Sequence, residues 1–305
     1  MSACSKDEFT CKDGTCISMN DRCDGKMDCS EGLDEDQCEA ITTFGGYNVH
    51  LVPPPLYGQA KFTINISIII DNIISINENE GEFIVKYTII RQWFNPQLTF
   101  TNLKTDRLQN LLSNDDTKKM WMPWMTLENI KDKEANIKTD RLDTVSINPN
   151  SDYIFKRSSR TFLHNTRFFK GSENAIHHQR QLSTNWICNY RMNWYPFDTG
   201  SCSMQMRHFE ESIYLQPFLV DYVGPKELTK HFIKRFKICG MNVEKGSGVV
   251  VKVYIGRPLF GTILTVYIPT GLLVFLCQMV KSFNRNYLEM VIEVNLTLLL
   301  VLATM

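Results

Sequence analysis

The sequence predicts three consecutive parts: a small disulfide-rich module, an all-β sandwich and a set of transmembrane α-helices. Six of the ten cysteines lie at or before residue 38, β-branched runs fill the middle of the chain, and residues 258–280 carry no charge. These observations divide the chain into a module at 1–39, a linker and leading segment at 40–57, a sandwich at 58–256 and a transmembrane region at 257–305.

The composition excludes several classes of function. Lys and Arg total 33, and Asp and Glu also total 33, so the chain has no overall field that would attract nucleic acid. The sequence contains no glycine-rich phosphate loop, no nucleophile elbow and no HExxH pair, and we therefore do not predict an enzyme.

The crowded cysteines indicate the redox compartment. Six cysteines in a segment with almost no apolar core form either a disulfide scaffold or a metal-binding knot, and the lack of CxxC pairs favours disulfides. Disulfides in turn indicate an extracellular location. An exported chain should begin with a signal peptide, but no apolar stretch precedes Cys4, so we expect the natural chain to begin further upstream.

Carboxylates are concentrated in the second half of this cysteine-rich segment. Asp24, Asp28, Asp34 and Glu35 can supply four carboxylates from one compact turn. Ca²⁺ takes six or more oxygen ligands, and backbone carbonyls would complete the shell. The alternative is an acidic, solvated face without a metal ion, on which these charges would repel one another.

The segment from Cys4 to Cys38 closely resembles the LDL-receptor class A repeat. The CDGxxDC signature of that repeat is found at 23–29, and Asp34-Glu35 matches its acidic pair. The resemblance implies bound Ca²⁺, with Asp21 and Lys26 adding backbone carbonyl ligands. It also implies three disulfides, which join Cys4 to Cys16, Cys11 to Cys29, and Cys23 to Cys38. A single module of this kind either binds a protein ligand or serves as a spacer.

Strand-like runs follow the linker. Residues 62–70 and 83–90 are β-branched and partly alternating, with turn-forming residues at 77–81 between them. Together with four later runs they predict an immunoglobulin-like sandwich; these runs lie at 144–155, 161–169, 202–208 and 249–255. Asn65 begins an Asn-Ile-Ser sequon and is a candidate glycosylation site.

The uncharged run at 258–280 is long enough to cross a bilayer, which needs about 20 residues. Arg257 and Lys281 flank it, as expected for a transmembrane helix; the alternative is a buried core helix. A second apolar stretch, 294–305, is too short to span, and we expect this chain to be a fragment of a longer one.

Two further cysteines enclose an aromatic loop. Thirteen residues separate Cys188 from Cys202 and include Tyr195-Pro196-Phe197-Asp198. Two such cysteines are either joined by a disulfide or remain buried thiols, and an oxidising compartment favours the disulfide. The loop resembles the signature of the Cys-loop family of pentameric ligand-gated ion channels, which implies the Cys188–Cys202 disulfide and an extracellular ligand-binding sandwich.

Other motifs of that family occur in the expected order. Residues 93–98 resemble its WxDPRL strand, 121–123 its WxP turn, and 257–259 the start of its first transmembrane helix. The resemblance covers about 45–305 and includes features of an invertebrate branch. Three residues depart from the motifs, and a salt bridge that many members use is therefore absent or rebuilt; Asn95 and Gln97 replace Asp and Arg, and Trp124 replaces Asp.

The resemblance also implies that an agonist binds between subunits, in a box of aromatic side chains. Glu128 falls in the first binding loop of the family, and Phe209 falls where its second loop carries Trp. Residues 239–250, in the capping loop, contain no aromatic residue and no adjacent cysteine pair, so an acetylcholine-like site is not expected.

Histidines suggest a second kind of ligand. His177, His178 and His208 titrate near neutral pH and could bind zinc together with acidic residues. The candidate partners are Glu128, Glu210 and Glu211. Adjacent residues of a strand point to opposite faces, however, so we favour the interpretation that these are surface histidines.

The pore helix is expected to begin near residue 286. The resemblance implies that Glu293 and Thr297 line the pore. It also implies that Leu302 forms a hydrophobic gate, which closes by dewetting. Glu293 favours cations, whereas the neighbouring sequence resembles a branch related to chloride channels, and ion selectivity stays undecided.

These observations predict a subunit of a neurotransmitter-type ligand-gated ion channel in the plasma membrane, with its N-terminal domains extracellular. Identical or homologous subunits would form a pentamer that a small extracellular agonist opens. The alternative is a surface or endocytic receptor that captures a partner through the class A module. The number of transmembrane spans separates the two, because a capture receptor needs only one.

Overall fold

The computed structural model of the chain describes fourteen stretches and single residues: 4–5, 8–36, 38–43, 45–131, 138–151, 154–155, 166–188, 190, 197, 199–226, 231–242, 246–283, 292–293 and 296–297. The chain divides into two compact units. The first comprises Met1–Cys188, Cys202–Gly224 and Phe236–Lys252, and the second comprises Asn189–Ser201, Pro225–Arg235 and Val253–Met305.

The N-terminal module is held by disulfides around a very small core. Strands β1 (Glu8–Thr10) and β2 (Cys16–Ser18) form an antiparallel hairpin, and a 3-10 turn spans Leu33–Glu35. Phe9 and Met19 pack with two disulfide sulfurs in the centre. The structure pairs Cys4 with Cys16, Cys11 with Cys29, and Cys23 with Cys38, which are the pairs that the resemblance implies.

The chain from residue 41 to residue 256 forms a β-sandwich. Its strands are β3 (Ile41–Thr43), β4 (Phe62–Asn77), β5 (Glu82–Trp93), β6 (Leu98–Thr101), β7 (Thr126–Leu127), β8 (Lys138–Asn148), β9 (Ile154–Phe155), β10 (Arg167–Lys170), β11 (Ala175–Ile187), β12 (Gly200–His208), β13 (Ile213–Tyr222), β14 (Phe232–Asn242) and β15 (Ser247–Gly256). A five-stranded sheet has the order β13-β4-β5-β11-β8, and four-stranded sheets have the orders β14-β15-β12-β7 and β3-β6-β10-β9. A single short α-helix, α1 (Asn114–Lys118), lies in the described part of this region.

Alternation of side chains builds the core. In β4 every second residue from Phe62 to Ile70 is buried, whereas β15 is buried without alternation from Ser247 to Val251. Because successive side chains of a strand point to opposite faces, each sheet has one apolar face for the core. Trp93 and Trp121 meet edge to face within this core, with ring centroids 6.5 Å apart.

The predicted all-β sandwich is confirmed, although several strands differ from the prediction. The run predicted at 144–155 divides into β8 and β9, and β8 already begins at Lys138. Of the run predicted at 161–169, residues 161–165 lie outside the described residues, and β10 occupies the end. Strands β11 and β14 were not predicted, because polar residues obscure their alternation. Strand β13 was not predicted, because apolar residues such as Tyr214 and Phe218 also occupy its exposed face.

A continuous helical segment follows β15. It consists of α2 (Leu259–Thr262), a π-helical turn (Ile263–Tyr267) and α3 (Ile268–Phe283). Pro269 explains the π-helical turn, because proline lacks an N–H and its ring would collide with the carbonyl one turn earlier in a regular α-helix.

This helical segment is the single candidate membrane span within the described residues. The window Leu259–Leu276 has a mean hydropathy of 2.0, and none of it is buried. It coincides with the predicted first transmembrane helix.

Candidate functional site

A groove in the first compact unit brings together residues that are distant in sequence. Strand β5 contributes Ile89 and Arg91, β11 contributes Arg180 and Leu182, and residues of the segment 124–130 complete the wall together with Phe209. The groove has a volume of about 740 Å³. Because alternate residues of a strand share a face, each strand presents one arginine and one aliphatic side chain to the same space.

The two residues predicted to contact an agonist, Glu128 and Phe209, both line the groove. Between them lies Arg207, which sequence reasoning missed. Its Nη1 donates a hydrogen bond to Oε1 of Glu128 over 3.0 Å, and its guanidinium lies 4.8 Å from the centroid of the Phe209 ring. A cation thus already occupies the space between the acid and the aromatic ring. In the sequence, the only indication that Arg207 belongs near this site is its position two residues before Phe209.

Trp124 forms an exposed aromatic wall of the groove. The sequence indicated only that a family aspartate is missing at this position. In the structure the Trp124 side chain is 76% exposed and lines the groove with Phe209, which is 58% exposed. The substitution therefore replaces a charge with an accessible aromatic surface.

Arg91 forms the floor of the groove together with Arg180, and it belongs to a chain of polar contacts that begins at buried residues and ends at partly exposed ones. It is only 7% exposed, and its Nη1 donates to the carbonyl of Pro123 over 2.6 Å. Its Nη2 donates to Nδ1 of His178 over 2.6 Å, and Nε2 of His178 donates to Oδ1 of Asp143 over 2.5 Å. Nε of Arg180 lies 3.6 Å from the other oxygen of Asp143.

The protonation states follow from this geometry. Burial and then the neighbouring charge of Arg91 lower the pKa of His178 to about 4. Burial and then the charge of Arg180 lower the pKa of Arg91 to about 10, so the guanidinium stays charged at neutral pH. His178 is consequently neutral, and it accepts a hydrogen bond at Nδ1 while it donates one from Nε2.

The interpretation of the histidines as surface residues is wrong for His178 and His208, which are buried. His177 is half-buried, and both of its ring nitrogens are shielded from solvent. Nδ1 of His208 accepts a hydrogen bond from the backbone of Glu210 over 3.1 Å. Among the described residues, none of these histidines belongs to a group of three ligand atoms within 4.8 Å of one another. The structure therefore gives the zinc hypothesis no support.

The WxDPRL-like turn is rebuilt around neutral groups. The side-chain oxygen of Asn95, which is fully buried, accepts a hydrogen bond from the backbone of Gln97, and its amide contacts the Tyr47 hydroxyl over 3.3 Å. The same hydroxyl accepts from the backbone of Trp121 over 2.7 Å. Amide and phenol groups thus connect the two motifs.

Cys188 and Cys202 are joined by a disulfide, and their Cα atoms are 5.0 Å apart. The bond connects the end of β11 to the start of β12. Phe197 is exposed, whereas Tyr195, Pro196 and Asp198 lie outside the described residues.

The acidic residues of the N-terminal module are held by backbone amides. Oδ1 of Asp24 accepts from the amide of Lys26 over 2.9 Å, and Oε1 of Glu35 accepts from the amide of Asp24 over 2.9 Å. Asp34 is fully buried; its Oδ2 accepts from the amide of Asp28 over 2.6 Å, and within the described residues its Oδ1 has no partner.

A buried carboxylate oxygen without a donor is costly unless a cation binds it, so Asp34 fits a Ca²⁺ site. No three of the four acidic residues bring oxygens within 4.8 Å of one another, however. The described cluster that does so combines Glu8 with Cys4 and Cys16, whose sulfurs are in a disulfide and cannot bind metal.

Arg22 lies beside this acidic loop. It is 4% exposed, its guanidinium lies 4.4 Å from the centroid of the Phe9 ring, and its Nη1 donates to the Thr166 hydroxyl over 3.5 Å. Both partners belong to the first compact unit. Arg22 therefore connects the disulfide-rich module to a residue next to β10.

The remaining candidate residues belong to neither the groove nor the N-terminal module. In the predicted pore helix, Glu293 and Thr297 are described, and the Thr297 hydroxyl donates to the Glu293 carbonyl over 2.9 Å, as in a helix. Leu302 lies outside the described residues. Asn65 is half-buried on β4, between Gln92 of β5 and Gln216 of β13. Its glycosylation stays a prediction.

Two family models match the chain. Residues 39–214 match the model described as neurotransmitter-gated ion-channel ligand binding domain, and residues 2–38 match the low-density lipoprotein receptor domain class A. The first match contains every residue of the groove. The boundaries predicted at 39, 57 and 256 stay predictions.

Over short stretches, the chain is similar to two curated relatives. It is 44% identical to the vitellogenin receptor of Solenopsis invicta over 36 residues, 12% of this chain and 2% of the relative. It is 50% identical to complement component C9 of Oncorhynchus mykiss over 40 residues, 13% of this chain and 7% of the relative. The chain thus spans under a tenth of either relative.

Proposed function

Because the chain belongs to the family of neurotransmitter-gated ion-channel ligand-binding domains, we propose that it is a subunit of a ligand-gated ion channel in the plasma membrane. The observation that carries this proposal is the groove in which Glu128, Phe209 and Trp124 meet, within the range that matches the family. A small extracellular agonist enters the groove and opens ion flux across the bilayer.

Two strands connect the groove to the cysteines that close the disulfide loop. Strand β11 carries Arg180 and ends immediately before Cys188, and β12 begins beside Cys202 and ends next to Phe209. A change in the groove wall is therefore linked through continuous strands to both ends of the disulfide loop. A packed sheet transmits displacement, because its hydrogen-bond ladder resists local deformation.

The channel is formed by five identical or homologous subunits. In each subunit the helix after residue 286 lines the pore, with Glu293 and Thr297 facing the ions and Leu302 closing the gate. Whether the pore favours anions or cations is an outcome of the experiment below. No catalytic role is proposed.

The N-terminal module binds Ca²⁺. Asp24, Asp28, Asp34 and Glu35 supply carboxylate oxygens, and Asp21 and Lys26 supply carbonyl oxygens. The unpartnered, buried Oδ1 of Asp34 supports this proposal. When bound, the ion supplies positive charge that offsets the repulsion among these carboxylates.

The second candidate function is a surface or endocytic receptor that captures a partner through the class A module. Its support is the match of residues 2–38 to the class A domain, together with the similarity of the chain over 36 residues to a vitellogenin receptor. This function needs one membrane span and no agonist.

Electrophysiology tests the proposed function. Oocytes that express the natural gene would be perfused with small neurotransmitters, acid, alkali and zinc, with recordings before and after chloride replacement. We expect a gated current, and a shift of its reversal potential with chloride would identify an anion channel. Surface expression without current under every stimulus would favour the capture receptor.

A further inference from the structure

The groove has more positive than negative charge. Among the described residues, the guanidiniums of Arg91 and Arg180 and the carboxylate of Glu128 line the groove. Next to this lining, Arg207 pairs with Glu128, and Asp143 lies 3.6 Å from Arg180. His178, which contacts both Arg91 and Asp143, is neutral at neutral pH. One positive charge is therefore in excess, and it lies on the floor formed by Arg91 and Arg180.

This excess charge is costly where it lies. A buried guanidinium is stabilised only when its charge and its N–H groups are compensated. Arg91 receives partial compensation from neutral acceptors, the Pro123 carbonyl and His178, and its Nε has no hydrogen-bond partner within the described residues. Asp143 is shared, because His178 and Arg180 both contact it.

The two groups that would attract a cation, the Glu128 carboxylate and the Phe209 ring, already contact one. The Glu128 carboxylate is paired with Arg207, and the same guanidinium covers the Phe209 ring. An ammonium ligand would have to displace an internal cation and would bring further positive charge toward Arg91. A carboxylate meets weaker competition, because Asp143 comes no nearer than 3.6 Å to Nε of Arg180 and the acceptors that Arg91 contacts are neutral.

We propose that the groove binds a small organic anion, a carboxylate on a flat apolar or aromatic body, with the carboxylate toward Arg91 and Arg180 and the body against Trp124. Planar guanidiniums are suited to carboxylates because they can donate two parallel hydrogen bonds. The exposed Trp124 ring and the aliphatic side chains of Ile89 and Leu182 suit the body. The proposal rests on the proposed function only in taking the groove as the ligand site.

The test uses three probes that share one body and differ in charge: indole-3-acetate, indole-3-acetamide and tryptamine. Calorimetry would measure their binding to the full chain in lipid nanodiscs, with empty nanodiscs subtracted. We expect the acetate to bind at least about tenfold more tightly than the amide, and tryptamine most weakly. Equal affinities, or tightest binding of tryptamine, would overturn the proposal.

Variants identify the contacts. Arg180→Gln and Arg91→Gln should each weaken acetate binding at least about tenfold and leave amide binding unchanged, because only the acetate carries charge. Arg180 is partly exposed, so its variant remains informative if Arg91→Gln fails to fold. Trp124→Ala should weaken acetate and amide alike. Arg107→Gln, which removes a guanidinium that does not line the groove, is the control and should change neither affinity.

Binding and gating can fail separately. If the acetate binds as expected but no ligand produces current, the ligand class stands and the proposed channel function fails. If tryptamine opens the channel and the acetate does not, the channel function stands and the anion proposal is wrong. Acetate affinity that survives Arg180→Gln unchanged would also contradict the proposal.

Discussion

Gly171 lies where two backbone segments approach closely. A Cβ atom at this position would lie 2.2 Å from the carbonyl oxygen of Asn95 and 2.8 Å from that of Leu98. The backbone N–H of Gly171 donates to the Leu98 carbonyl, and its own carbonyl accepts from Asn95. These bonds fix the rebuilt turn of Asn95, so the absence of a side chain at Gly171 is required by packing.

Gly171→Ala is therefore expected to lower the free energy of unfolding by about 2–3 kcal/mol, since backbone atoms must move apart to admit the methyl group. Gly45→Ala is the matched control, because no atom lies within 4 Å of its added Cβ. Its effect should stay within about 1 kcal/mol. Urea unfolding of both variants measures the difference, and equal stabilities would contradict the close approach.

The buried His178 makes stability depend on pH. Its pKa is about 4 in the folded protein, against 6.5 as the ordinary value, so the unfolded chain binds more protons between these values. This contribution to stability is complete above pH 6.5 and is lost as the pH falls toward 4. It amounts to up to about 3 kcal/mol, at about 1.4 kcal/mol for each pKa unit.

Urea unfolding at several pH values tests this prediction. His178→Asn should reduce the loss of stability between pH 6.5 and 4, because the variant has no group to protonate there. His50→Asn, which changes an exposed histidine, should leave the loss as it is in the wild type. A wild-type stability that stays constant over this range would contradict the expected neutral, buried state of His178.

At the scale of elements, the N-terminal module is the part that the sequence predicts in most detail. Cysteine spacing and the acidic pair are local features, so the resemblance transfers them residue by residue, and the three pairs in the structure agree with it. The contact of Arg22 with Thr166 could not be predicted, because it joins positions 144 residues apart.

Ca²⁺ binding should stabilise the module. Ca²⁺ at a hundredfold excess over its dissociation constant raises the free energy of unfolding by about 2.7 kcal/mol if it binds only the folded chain. Asp34→Asn should abolish this gain. Glu31→Gln, which removes a surface ion pair with Lys12, should retain it, because both partners are more than half exposed. Unfolding with Ca²⁺ or with chelator measures the gain, and a full gain in Asp34→Asn would contradict the site.

The placement of Arg91 and Arg180 on the floor of the groove depends on strand register. In the pairing of β11 with β5, His178 lies opposite Arg91, and in the pairing with β8, Arg180 lies opposite Asp143. The β11–β8 register shifts immediately after Arg180. Such irregularities redirect side chains, and they are frequent beside functional sites. Since a sequence alone does not define the register, these four residues could not be grouped in advance.

At the scale of the whole molecule, the order of the three parts was predictable from composition and short motifs. The disulfide module, the alternating strands and the uncharged helix each have a local signature, and the family match to residues 39–214 agrees with the resemblance. The groove is different, because it combines β5, β7, β11 and the end of β12. Sequence reasoning identified Glu128 and Phe209 through the resemblance but missed Trp124 and the three arginines.

Cysteine modification tests directly whether a ligand opens the channel by binding in the groove. Phe209→Cys would introduce a thiol at an exposed groove position, and Lys118→Cys would introduce one on α1, at an exposed residue that does not line the groove. A charged methanethiosulfonate reagent would be applied to oocytes that express each variant, with and without the activating ligand. We predict that the reagent suppresses the ligand-gated current only in Phe209→Cys and that bound ligand slows this reaction. Modification of Phe209→Cys that leaves the current unchanged, or that proceeds equally fast with ligand present, would contradict it.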